Sequence, residues 1–349
     1  MHTLADLTTL RLGGPPGRLL EARSEEELVA AVRRADADGE PLLVLAGGSN
    51  VVVADEGFPG TVVRVLTCGV ERDRNRFTVQ AGEPWDDFVA ARVAEGLAGI
   101  ECLSGIPGST GATPIQNVGA YGQEVDEVIR SVRVLERTTG EVTELAPEQC
   151  GFSYRSSAFK REPGRRLVLA VTFELEQQDE SRPIRYAELA RTLGVELGQS
   201  AQLAAVRDAV LGLRRSKGMV IDPDDPDSVS AGSFFTNPIL APEDFEALER
   251  RVADHLGGDT RPPSFPEPDG RVKTSAAWLV ERAGFGRGHG APGPIMVSTK
   301  HSLALTNRGG GTTAELIALA RRIAAGVADR FGVELVPEPV FVGHTWRPR

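Results

Sequence analysis

The sequence is poor in cysteine. Cys68, Cys102 and Cys150 are far apart, odd in number and form no C-x-x-C pair. That pattern excludes a disulfide framework, offers no start to a zinc site and suits a reducing cytosol. The five histidines are dispersed with no paired His/Cys spacing, so no metal is expected. Long apolar runs are also missing. The richest stretch, Pro41–Ala54, is interrupted by Gly47-Gly48-Ser49-Asn50, and a membrane-spanning helix needs ~20 apolar residues. No basic segment leads into an apolar one at the start, so neither a secretory leader nor membrane insertion is expected. Positive charge is in deficit, with 39 Lys and Arg against 49 Asp and Glu and a net charge of −10. A non-specific nucleic-acid binder carries the opposite balance, because it must displace cations from phosphates. No nucleic-acid partner is therefore expected, although a local basic pocket for a small anion stays open.

What is present describes a folded, mixed protein. The 349 residues allow two or three domains. A 41% apolar and 25% charged composition argues against disorder, since enough apolar surface exists to build a core. Ser24 with Glu27 has the form of a capping box. Leu28, Val29, Val32 and Ala35 then predict a helical face that ends at Gly39. Extended runs are predicted at 41–45, 51–53, 61–65, 77–81, 128–135 and 166–175, and a helix is predicted from Pro84. The last third is more helical, with stripes at Leu203, Val206, Val210 and Leu213 and at Phe245, Leu248, Val252 and Leu256. Thr312 and Glu315 cap a third stripe at Leu316, Leu319, Ile323 and Val327. The Gly/Pro-rich segments 257–270 and 284–294 read as loops. The alternation of helical and extended patterns points to α/β mixing, with boundaries near residues 65 and 203.

Three glycine clusters bear on anion or cofactor binding: Gly47-Gly48, the segment Gly105–Gly122, and Gly309-Gly310-Gly311. Glycine lets backbone N–H groups approach an anion closely, but a glycine cluster is just as readily a turn. The third cluster reads as a helix entry. The segment 105–122 is long, uncharged and rich in small residues, and it carries Gln116, Asn117 and Tyr121. A plain connector needs no such set, whereas a backbone wrapping a large flat cofactor would. The familiar nucleotide fingerprints do not account for it. Gly286-Arg287-Gly288-His289-Gly290-Ala291 matches G-x-G-x-x-A by letter, yet Pro292 and Pro294 forbid the helix that must follow. No G-x-x-x-x-G-K-[ST] occurs either.

Ala46–Val51, Ile106–Ser109 and Pro114–Gly122 together resemble the UDP-N-acetylenolpyruvoylglucosamine reductase family, also called UDP-N-acetylmuramate dehydrogenase or MurB. The resemblance continues in order through Phe152–Phe159, Ala231–Pro238 and Pro337–Phe341, and so spans nearly the whole chain. Arg185–Leu189 looks like the substrate-covering tyrosine segment of the family's longer type. Thr8-Thr9-Leu10 stands where Asn-Thr-Phe is common.

The resemblance implies an α+β protein with an FAD-binding fold of the vanillyl-alcohol oxidase type and a C-terminal substrate-binding α+β domain. Residues 1–65, rejoined by 335–349, would form the first FAD-binding subdomain, 66–202 the second, and 203–334 the substrate domain. It implies non-covalent FAD as cofactor and NADPH as electron donor, using one cleft in turn with the substrate. The reaction would be reduction of UDP-N-acetylglucosamine enolpyruvate to UDP-N-acetylmuramate, for cell-wall peptidoglycan. A cytoplasmic monomer is expected. FAD contacts are expected from Gly47, Gly48, Ser49, Asn50 and Val51, then from Ile106, Pro107, Gly108, Ser109 and Thr113, and from Gln116, Asn117, Gly119, Ala120 and Tyr121. Substrate contacts are expected from Tyr186, Arg214, Lys217, Asn237, Lys273 and His301.

Hydride added to a carbon conjugated with a carboxylate pushes electrons onto that carboxylate. The resemblance gives Arg155 the carboxylate, Glu338 in protonated form a hydrogen bond to the enediolate, and Ser233 the proton for the adjacent carbon. Read alone, each residue is ordinary: a surface arginine, a loop glutamate, a turn serine. The basic run Arg214, Arg215, Lys217 serves a diphosphate or simply complements a helix C-terminus. Two rival functions remain at this level. One is an FAD oxidase of the same fold; many such oxidases bind flavin through a histidine, and none lies near Gly47–Val53. The other is a sugar-nucleotide-binding regulator, which would need no flavin loops.

Overall fold

Ser24 and Gly39 bound the first helix as the sequence implies. In the computed structural model, which describes residues 3–346, the helix is Glu25–Asp38. The Ser24 side chain accepts from the Glu27 N–H at 3.2 Å, and Gly39 takes the left-handed φ of 65° that glycine tolerates best. The helix Thr313–Phe331 begins with the reciprocal Thr312–Glu315 box. Asp55 adds to that start by accepting from the N–H groups of Thr313 and Ala314 at 2.7 and 2.9 Å. The helix expected from Pro84 is Trp85–Ala94, with Pro84 as its cap rather than in its first turn.

The chain divides into two compact units. One comprises the residues up to Pro15, Ser49–Gly57 and the residues from Ile221 onward; the other comprises Pro16–Gly48 and Phe58–Val220. The helix Leu203–Ser216 belongs to the second of these. The ends of the outer segments expected from the sequence, residues 1–2 and 347–349, lie outside the described residues.

In the unit holding Pro16–Gly48 and Phe58–Val220, the strands Pro16–Ala22, Phe58–Val65 and Leu42–Leu45 form a parallel sheet with Phe58–Val65 in the middle. Pro16–Ala22 escaped the sequence reading because its burial does not alternate and a proline and glycine open it. A five-stranded antiparallel sheet follows, in the order Glu141–Leu145, Ile129–Glu136, Arg166–Glu174, Arg76–Gln80, Val70–Asp73. The two strands missed at its edges are mostly exposed and charged. On Ile129–Glu136, Val132 and Val134 point into the core built around Trp85, Phe88 and Phe173. Leu135 enters a second core with Leu28, Val29 and Val32, so this sheet is buried on both faces there.

In the other unit, the helices Pro242–Leu256, Ala276–Arg282 and Thr313–Phe331 share one core with the antiparallel sheet Ser230–Ser233, Ala304–Asn307, Ile295–Val297. A short parallel pair joins Val51–Val53 to Val340–Val342, in the register Val51 opposite Val340. The 257–270 segment is not wholly loop, because Phe265–Pro266 pairs with Val272–Lys273.

Candidate active site

The glycine segments of the second-described unit pack backbone against backbone. A Cβ placed on Gly47 would sit 2.7 Å from the Gly108 Cα, and one on Gly111 2.5 Å from the Ala81 Cβ. Only glycine permits that approach. The Trp85 N–H donates to the Gly108 carbonyl at 3.1 Å, and Thr113 Oγ1 donates to the Thr110 carbonyl at 2.8 Å. Asn117 and Tyr121 adopt φ of 47° and 48°, conformations that hold a tight curl in the chain. The Asn117 side chain is fully buried; it donates to Glu124 at 3.0 Å and accepts from the Asp126 N–H at 3.2 Å. It thus shapes the segment from within. Ser109 is the opposite case: its hydroxyl is buried and has no hydrogen-bond partner. An orphaned hydroxyl within a cradle of close-packed glycine backbone fits a ligand rich in acceptors, such as a flavin nucleotide.

Arg155 sits on a two-residue turn closed by reciprocal backbone hydrogen bonds between Ser153 and Ser156, both 3.0 Å. Its φ is 51°, costly for a residue with a long side chain. The guanidinium donates to the carbonyls of Asn117 and Gly119 and lies 3.6 Å from Glu124. The turn therefore delivers Arg155 to the same curled segment.

Lys217 follows the helix Leu203–Ser216 and donates to Glu188 at 2.6 Å, with its ammonium 5.7 Å from the centre of the Tyr121 ring. Tyr186, 42% exposed, meets Tyr121 edge-to-face at 5.4 Å. Glu188 thus ties the tyrosine segment to Lys217, a link that its place in Arg185–Leu189 hinted at. Burial pushes the Tyr121 phenol up to about 12, only partly offset by Arg214. Arg214 departs from a surface basic run. It is buried on the inner side of its helix and donates to the carbonyls of Gly105 and Met219 at 3.2 and 2.8 Å. Burial weakens its hold on the proton, while Tyr121 and Asp86 act in the other direction.

Asp86 grips Arg207 through both oxygens, at 2.7 and 2.9 Å, and accepts from the Gly105 N–H at 2.6 Å. Burial alone would raise its pKa, but the Arg207 and Gly105 hydrogen bonds outweigh it and hold the carboxyl below the usual range. Asp86→Asn is expected to cost about 1–3 kcal/mol at neutral pH. A lowered folded-state pKa stabilises fully above the unfolded value of about 4 and stops doing so as pH falls through the folded value. The stability gap between wild type and variant should therefore be full above pH ~5 and narrow below pH ~4, as urea titrations at several pH values would record.

In the other unit, a bulged strand pairing places Ser233 opposite Ala304. The next residue, Phe234, is the hub: its N–H donates to the Leu303 carbonyl, and its carbonyl accepts from the Glu338 N–H, both at 2.8 Å. Ser233 and Glu338 are thereby held on either side of one buried residue. Both are half-buried, neither sealed nor fully wet. Asn50 fixes the other flank of Glu338. Its carbonyl accepts from the Val340 N–H at 2.9 Å, and its amide donates to the Glu338 carbonyl at 3.4 Å. Thr9 donates to the Ser230 carbonyl at 2.9 Å, on the strand that leads to Ser233. Nε2 of His301 lies 3.3 Å from the Ser233 hydroxyl. Asn237 accepts from the Ala276 N–H at 3.0 Å, at the start of a helix, and Lys273 donates to Glu267 at 2.6 Å. No group of three or more metal-ligating side chains occurs among the described residues.

Residues 224–342 match a family model described as the C-terminal domain of UDP-N-acetylenolpyruvoylglucosamine reductase. Residues 16–146 match one described as an FAD binding domain. A protein of Thermobifida fusca (strain YX) named UDP-N-acetylenolpyruvoylglucosamine reductase is 58% identical across 98% of this chain and 97% of its own length. One of the same name from Streptomyces coelicolor is also 58% identical, over 97% of this chain and 89% of that protein. The crystal structure of UDP-N-acetylenolpyruvylglucosamine reductase from Thermus caldophilus gives a TM-score of 0.66 at 25% identity, covering 98% of this chain and 97% of that one.

Proposed function

Since the chain belongs to the UDP-N-acetylenolpyruvoylglucosamine reductase family, we propose that Arg155, Ser233 and Glu338 carry its chemistry. The protein is a flavin-dependent oxidoreductase that reduces UDP-N-acetylglucosamine enolpyruvate to UDP-N-acetylmuramate for peptidoglycan. Its cofactor is FAD, and NADPH is the family's reductant. Bound FAD would supply the hydride chemistry that connects NADPH with the enol ether.

The residues do the rest. Arg155 pairs with the substrate carboxylate and keeps it oriented as negative charge builds. Glu338, held neutral, donates a hydrogen bond to the developing enediolate. Ser233 delivers the proton that completes the saturated carbon. The observation that carries this reading is the arrangement around Phe234, whose backbone keeps a half-buried hydroxyl and a half-buried carboxyl side chain on its two flanks. Gly47, Gly48, Ile106–Ser109, Thr113, Gln116 and Gly119–Tyr121 are proposed to hold FAD, with Ser109 donating and Asn117 acting through the loop's shape. Ser49, Asn50 and Val51 are proposed as further FAD contacts. Tyr186, Lys217, Asn237 and Lys273 are proposed as contacts to the sugar nucleotide, while Arg214 braces the Gly105 turn. Residues 1–65 with 335–349, and 66–202, are proposed as the two FAD-binding subdomains, and 203–334 as the substrate-binding domain. No helix among the described residues is long and apolar enough to cross a membrane, and a monomer working in the cytoplasm is proposed.

Two tests follow. The purified protein should be yellow and release free FAD on denaturation, and should consume one NADPH per enolpyruvyl sugar nucleotide. A colourless protein that binds the sugar nucleotide without turnover would favour a regulator. Gly47→Ala would drive a methyl group into the Gly108 backbone. It is expected to lower FAD affinity tenfold or more (~1.4 kcal/mol or above), read by titrating apoprotein with FAD.

A further inference from the structure

The turn that carries His301 is fixed more firmly than a loop needs. The buried Ser298 hydroxyl accepts from the N–H groups of Lys300 and His301 at 3.0 and 3.1 Å. The Ala304 N–H closes the turn onto the His301 carbonyl at 3.1 Å. Asp227, buried, accepts from the Thr299 N–H and hydroxyl at 2.9 and 2.6 Å, and from Arg308 at 2.6 Å. Lys300 is turned away to Asp225 at 2.9 Å. The effect of this bracing is to leave the imidazole, not the lysine, beside Ser233, with Nε2 3.3 Å from the hydroxyl.

A serine hydroxyl is a weak acid, and an alkoxide left next to an anionic substrate is strongly disfavoured. We propose that His301 is the proton source behind Ser233, a positioning residue that acts through the hydroxyl and does not grip the sugar nucleotide. The proposal rests on the reading of Ser233 as the donor to carbon. As the carbon–hydrogen bond forms, the Ser233 O–H bond breaks. A new O–H bond forms with the proton of the His301 imidazolium, whose Nε2–H bond breaks. Charge moves from imidazolium to carbanion, no electron pair changes ownership between redox centres, and solvent later recharges the neutral ring. An imidazole is suited to this because it gains and loses a proton near neutral pH.

The test compares wild type, His301→Ala, His301→Gln, Ser233→Ala and the double variant Ser233→Ala/His301→Ala, each as the FAD-loaded enzyme in anaerobic stopped-flow. Both His301 variants are expected to slow re-oxidation by the enolpyruvyl sugar nucleotide by about 10². Reduction by NADPH and the sugar nucleotide's dissociation constant should move by less than about threefold in both, well inside the tenfold that 1.4 kcal/mol represents. The double variant should be no slower than Ser233→Ala alone, because the two groups act as one unit. With no substrate present, the ¹⁵N resonance of His301 Nε2, assigned by its disappearance in His301→Gln, should shift in Ser233→Ala. Recovery of the wild-type rate in His301→Gln, whose amide donates a hydrogen bond but surrenders no proton, would overturn the relay. So would a loss confined to substrate affinity. If Ser233→Ala itself re-oxidises normally, the reading of Ser233 falls and takes the relay with it; if only the His301 variants are normal, the relay alone falls.

Discussion

Ser233→Ala is expected to slow the return of oxidised flavin on mixing reduced enzyme with substrate by roughly 10²–10⁴, the scale of a positioned proton donor and about 3–5 kcal/mol of barrier. Reduction by NADPH should be nearly unchanged, since no proton to carbon is needed there. The asymmetry is the point. Ser233 is half-buried on a strand that Phe234 anchors by its own backbone, so removal of one oxygen leaves the frame intact. Stopped-flow absorbance of the two half-reactions checks this. Equal slowing of both would mean that the hydroxyl supports the fold or the cofactor, not the addition.

Glu338 carries the second large effect. Removing it with alanine is expected to lower the same re-oxidation rate by about 10²–10³, as loss of one donor to a developing oxyanion does. Replacement by glutamine should restore much of that loss, because an amide donates as a neutral carboxyl does. Aspartate should not, because it withdraws the group by one methylene from a position fixed by the Phe234 and Asn50 backbone contacts. Single-turnover rates for the three variants separate the cases. Glutamine as damaging as alanine would show that Glu338 works as a charge or a base.

The chemistry of these residues was visible in the sequence only through the company they keep. Residues 155, 233 and 338 are too far apart for spacing to relate them, and the ordered motifs did that work. The local structure was more directly legible. Ser24 and Gly39, and Thr312 with Glu315, bound their helices by cap chemistry that needs no tertiary context, although the Glu27 carboxylate accepts from the Arg23 N–H and so leaves the first box half-made. What escaped depended on tertiary packing. Arg214 looks like a member of an exposed basic run, yet the turn at Gly105 gives its guanidinium carbonyl partners and buries it. Asn117 looks like a ligand contact, but Glu124 and Asp126 claim its amide. Strand Pro16–Ala22 lacks alternation because its neighbours, not its own pattern, fix its pairing. The approach of His301 to Ser233 spans 68 residues and follows from the turn between two strands, which no local pattern announces.

One measurement bears most directly on the whole account. The enzyme is reduced with one equivalent of NADPH under strict exclusion of oxygen and mixed with the enolpyruvyl sugar nucleotide while flavin absorbance is followed. The yellow colour should return within the turnover time, with one saturated lactyl ether formed per flavin. Flavin that stays bleached until air is admitted would contradict it.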